Sequence, residues 1–115
     1  MESKEKAKFI CETLLSKKAH DVLKIDVSEQ TILADYFIIA SGKSSPQVKA
    51  LAEYAMEAVE KAGGEVRRKE GMTDCRWVVV DFGDVILHVF HDETRLFYNL
   101  ERLWASGSNV EKFED

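Results

Sequence analysis

A chain of 115 residues, 45% hydrophobic and 32% charged, is long enough for one compact domain and has an ordinary globular composition. The longest unbroken apolar run, Tyr36 to Ala40, excludes a membrane-spanning helix, and Met1-Glu2-Ser3-Lys4-Glu5 has no apolar signal core, so the expected location is the cytoplasm. A net charge of −5 argues against a wide phosphate-gripping face, hence against DNA, and favours a basic protein partner.

Residues 4–18 read as an amphipathic helix, with Ala7, Ile10, Cys11, Leu14 and Leu15 recurring at helical spacing. Val22 to Val27 alternates as a half-buried strand, and Ser28-Glu29-Gln30 follows as a loop. From Tyr36 to Ala40 the chain is apolar at every position, which predicts a central strand covered on both faces. The next helix has Ser45 as N-cap and Pro46 at its first position, where the missing N–H costs nothing. Val48, Leu51, Ala52, Ala55, Met56 and Val59 form its stripe, and Gly63-Gly64 ends it.

Val66 opens a short strand that Arg67-Arg68-Lys69 makes polar, as suits a sheet edge. Residues 76–90 predict a hairpin turning at Gly83-Asp84, with Val80 opposite Leu87. One face then holds Val78, Val80, Phe82, Val85, Leu87 and Val89; the other holds Trp77, Val79, Asp81, Ile86, His88 and Phe90. The first face is core, and the second needs a cover or a partner. A final helix carries Leu96, Phe97, Leu100, Leu103 and Trp104 as its stripe and breaks at Ser106-Gly107-Ser108-Asn109. The predicted fold is α+β, a mixed sheet with helices packed on it. Residues 1–105 form the single domain, and 106–115 an acidic, flexible tail.

No residue pattern assigns a catalytic, metal or cofactor site. Ser41-Gly42-Lys43-Ser44-Ser45 lies between strand and helix, but a phosphate loop needs glycine at the position of Phe37. His88 and His91, spaced i, i+3 at the end of a strand, point to opposite faces. Asp84 reads as a turn residue and Asp81 as a polar member of the mixed face. Cys11 and Cys75 read as free thiols. Trp77 is the residue with most to offer a partner, because tryptophan is over-represented among residues that dominate interfaces.

An ordered set of segments then resembles the ribosomal silencing factor family (RsfS, also called YbeB or Iojap-like). The set comprises Asp35-Tyr36-Phe37-Ile38-Ile39-Ala40-Ser41-Gly42, Ser44-Ser45-x-Gln47-Val48, Glu70-Gly71, Trp77, Val80-Asp81-Phe82-Gly83-Asp84-Val85 and His88-Val89-Phe90. It closes with Arg95, Tyr98-Asn99-Leu100-Glu101 and Leu103-Trp104, leaving the acidic tail outside the pattern. Phe82 stands where the family commonly has tyrosine.

The resemblance implies a non-catalytic factor without cofactors. Such a factor binds the large ribosomal subunit through ribosomal protein L-fourteen, blocks small-subunit joining and represses translation when nutrients are scarce. It also implies a homodimer, and a fold like a nucleotidyltransferase core without its catalytic carboxylates. On the mixed face, Trp77, Asp81 and His88, with Glu70 at the rim, are the expected contacts to the ribosomal protein. Phe90, Tyr98 and Trp104 are the expected dimer residues. The alternative is a nucleotidyltransferase-type enzyme in which Gly42, Ser44, Asp81 and Asp84 handle a nucleotide and magnesium. It lacks the Asp-x-Asp such enzymes place after a Gly-Ser turn.

Overall fold

In the computed structural model, which describes residues 1–114, helix α1 (Ser3–Ser16) leads into strands β1 (His20–Asp26) and β2 (Tyr36–Gly42). Helix α2 (Ser45–Lys61) follows, then β3 (Arg68–Glu70), β4 (Trp77–Asp81) and β5 (Val85–His91). Two short helices, α3 (Asp92–Tyr98) and α4 (Leu100–Trp104), precede a last strand, β6 (Val110–Phe113). The six strands form one sheet in the order β3-β4-β5-β2-β1-β6. Only β2 and β5 pair in parallel, so the sheet is mixed and the α+β expectation stands.

The two sides of the sheet have different covers. On one side α1 and α2 pack side by side, and their stripes meet Val78, Val80, Val85, Leu87 and Val89 in the main core. Each such side chain, fully buried, contributes about 1.5–3 kcal/mol. The hairpin has the expected register, with Val80 opposite Leu87 and the Phe82 N–H donating to the Val85 carbonyl. On the other side a smaller cluster gathers Ile25, Val27, Ala34, Phe37, Ile39 and Phe90 beneath Leu100 and Trp104.

Three expectations about these elements need correction. The cap of α2 is Ser44, whose Oγ accepts from the Gln47 N–H at 3.2 Å, so Pro46 sits one place further into the helix. At the same turn the Lys43 N–H donates to Gln47 Oε1 at 2.7 Å, which takes up a donor an anion would need. The final helix is two helices, because Asn99 adopts a left-handed conformation (φ +47°, ψ +51°) that ends α3 and starts α4.

The tail is not loose through Phe113, since β6 pairs antiparallel with β1 from Val110–Ile25 to Phe113–Val22. Its register is physical: three positions apart on a strand, Val110 and Phe113 face opposite sides, and they pack on the smaller and the main cluster respectively. The Asn109 side-chain amide fixes the approach, donating to the carbonyls of Asp26 and Trp104, each at 2.9 Å.

Candidate protein-binding face

Cross-strand partners share a side of a sheet. Pairing Arg68 with Asp81, Glu70 with Val79, Val79 with His88 and Trp77 with Phe90 therefore puts all of them on the face away from α1 and α2. Trp77, Asp81, Glu70 and His88 do share one face, as expected, but that face is divided in two. Its outer part, over β3 and β4, leaves Arg68 and Glu70 exposed and Val79 and Asp81 half-buried. Its inner part lies under α3 and α4.

The division removes two residues from the expected contact set. His88 is 8% exposed and Phe90 0%, so neither presents surface to a ribosomal protein or to a second copy. Phe90 lies stacked on Trp77 with ring centroids 5.0 Å apart, and Phe37 meets His88 edge-on at 5.3 Å. His88 serves from within. The Trp77 indole Nε1–H donates to His88 Nδ1 at 3.1 Å, which holds the half-buried indole flat against the face. Burial lowers the His88 pKa from its ordinary 6.5 to about 4, so the imidazole is neutral and its Nδ1 is free to accept that hydrogen bond.

Asp81 is also partly committed, because its Oδ1 accepts from the Gly83 N–H at 2.7 Å and so caps the hairpin turn. Its second oxygen remains for a partner. Glu70 pairs with its strand neighbour Arg68 at 3.4 Å, an exposed pair worth little. Asp84 does not act on this face: it binds Lys6 of α1 at 2.6 Å. Its carbonyl accepts from Asp35 and Tyr36 at the start of β2, whereas Gly42 is the last residue of that strand, about 20 Å away at ~3.3 Å per residue. The Gly42–Ser44–Asp81–Asp84 constellation of the enzyme alternative is therefore not assembled.

Periodicity missed a ridge of exposed side chains on the short helices. Leu96, Phe97 and Leu103 are 83%, 81% and 75% exposed, and Tyr98 is half out. The stripe expected to face the core faces solvent instead; of that stripe, only Leu100 and Trp104 turn inward, Trp104 edge-on to Phe37 at 4.9 Å. The ridge is continuous with Trp77, whose ring lies 4.8 Å from Tyr98, and Tyr98 lies 5.1 Å from Phe97. Between β4 and α3 these rings border a groove of about 390 Å³ whose rim carries Asp74, Glu93 and Arg76. Aromatic rings beside carboxylates suit a basic protein surface better than a nucleotide. Among the described residues no cluster of three or more His, Cys, Asp or Glu side chains is arranged to hold a metal.

Known proteins are similar to this chain. The family described as "Ribosomal silencing factor during starvation" matches residues 1–115, including the tail that the sequence pattern left out. A Bacillus subtilis protein named ribosomal silencing factor RsfS is 43% identical over 91 residues, spanning 79% of this chain and 77% of that one. A crystal structure from Chromobacterium violaceum, 38% identical, superposes with a TM-score of 0.88 over 90% of this chain and 87% of its own. The mouse protein named mitochondrial assembly of ribosomal large subunit protein 1 is 34% identical over 89% of this chain, which spans 48% of it. A match over the full length, relatives of this identity and a shared fold lead to one conclusion: the chain belongs to the ribosomal silencing factor family.

Proposed function

We propose that this protein binds the large ribosomal subunit through ribosomal protein L-fourteen and sterically blocks small-subunit joining. It thereby represses translation in the cytoplasm when nutrients are scarce. Binding, not catalysis, is the activity. The observation that supports this most is the half-buried indole of Trp77, bordered by Asp74, Glu70 and Asp81. An acidic chain with such a surface is matched to a basic ribosomal protein, which would bury the indole and pair a lysine or arginine with Asp81. The free protein is a homodimer in this reading, with a second copy covering Leu96, Phe97, Tyr98 and Leu103 beside the edge of Trp104 through an isologous contact.

Sucrose-gradient sedimentation with purified large subunits tests the binding. The wild type travels with the subunit, and Trp77→Ala weakens binding about thirtyfold, as loss of a 2 kcal/mol anchor does. Wild-type sedimentation by Trp77→Ala and Asp81→Lys alike would remove this face from the account.

A further inference from the structure

The ridge on α3 and α4 has little to stand on. The two helices have 7 and 5 residues, too short to persist by their own hydrogen bonding. Beside them a cleft of about 650 Å³ separates the ridge from the β1–β6 edge of the sheet. A polar cluster spans that gap. Arg95, on α3, is the one strongly buried charge among the described residues, at 7% exposure. Its Nη1 donates to Ser41 Oγ on β2 at 2.8 Å and to the Asp21 carbonyl on β1, while its Nε donates to Glu101 Oε2 on α4 at 3.0 Å.

The Asp21 carbonyl is available because β1 bulges there. The register passes from His20–Ser41 to Leu23–Ile39, and Asp21 takes a left-handed φ of +50°. One guanidinium thus joins two strands to both short helices across the Asn99 break. A second tie, His20 Nε2–H donating to Asp92 Oδ1, holds the start of α3 to the same end of β1.

We infer that Arg95 is a positioning residue for self-association. Its guanidinium fixes α3 and α4 against the sheet, so that Leu96, Phe97, Tyr98 and Leu103 form one rigid apolar surface. The inference rests on the reading that a second copy covers this ridge. Without the clamp the ridge is formed only part of the time, and because both copies must hold it, the apparent dissociation constant rises by the inverse square of that fraction.

The test is sedimentation-equilibrium measurement of the dimer for wild type, Phe97→Ser, Arg95→Met and Glu101→Ala, with hydrogen exchange and urea unfolding on each. Phe97→Ser weakens the dimer directly. Glu101→Ala, on a partly exposed residue, keeps the urea midpoint near wild type, speeds exchange in residues 95–104 alone, and weakens the dimer about a hundredfold if one molecule in ten holds the ridge. Arg95→Met weakens it further, and should it fail to fold, Glu101→Ala decides. A monomeric wild type, or a Phe97→Ser dimer as tight as wild type, overturns the ridge reading and the inference with it. A wild-type dimer broken by Phe97→Ser but untouched by Glu101→Ala overturns the clamp alone.

Discussion

Lowering the pH should cost this protein stability through His88 before carboxylate protonation dominates. In the unfolded chain His88 takes up a proton near 6.5; in the folded chain burial delays this to about 4. Between those values the unfolded state binds more protons, so stability rises with pH across the window and is flat above it. At about 1.4 kcal/mol per pH unit, the full interval is worth about 3 kcal/mol, fully present above pH 6.5 and lost as pH falls to about 4. His88→Phe removes the titration and keeps an aromatic ring in the cluster around Phe37, Phe90 and Trp77. Urea unfolding of both proteins, followed by tryptophan fluorescence from pH 4.5 to 7.5, gives the difference in stability at each pH. That difference should grow in favour of wild type up to about pH 6.5 and then level off. Curves that stay parallel throughout would show that His88 is solvated, and the account of Trp77 resting on a neutral imidazole would fall with it.

Leu87→Ala, at a fully buried position of the main core, should cost about 2–5 kcal/mol in urea unfolding. Gly71→Ala should cost at least about 2 kcal/mol, since Gly71 sits at φ +83° and a Cβ there would lie 2.1 Å from the Trp77 carbonyl oxygen. Cys11, its thiol pushed up to about 12 by burial, should resist iodoacetamide at pH 8 in the native protein and react in urea, as read by peptide mass spectrometry. Glu70→Ala should change large-subunit binding by under ~1 kcal/mol, and only at low salt.

The sheet and its two long helices were legible because each follows a single rule. The α2 stripe repeats at helical spacing, the 78–89 face alternates without a polar residue, and Tyr36 to Ala40 has no polar side to present. The region after His91 obeys no such rule. There a charged residue goes in and leucine and phenylalanine go out, because Arg95 finds a bulge carbonyl and a buried hydroxyl from two distant strands and a carboxylate from the next helix. Periodicity sees polarity, not partners, so it placed the ridge in the core. The same blindness put His88 and Phe90 on the surface: alternation gives the face of a strand, and only the docking of Leu100 and Trp104 says which part is covered. The tail was misread on composition. Acidic residues suggested mobility, while Val110 and Phe113, one for each side of the sheet, were the signal that it is a strand.

The parallel pairing at the centre of the sheet bears on how the chain comes to be folded. Tyr36 faces Val85 and Gly42 faces His91, so β2 finds its neighbour only across a loop containing α2, β3 and β4. An antiparallel hairpin such as β4–β5 closes over a few residues, but this ladder requires most of the sequence to be present first. A nascent chain that has emerged only as far as residue 80 therefore carries β2 with one open edge and Phe37 and Ile39 without Phe90 to cover them. A growing chain stays prone to wrong pairing at that open edge until β5 arrives.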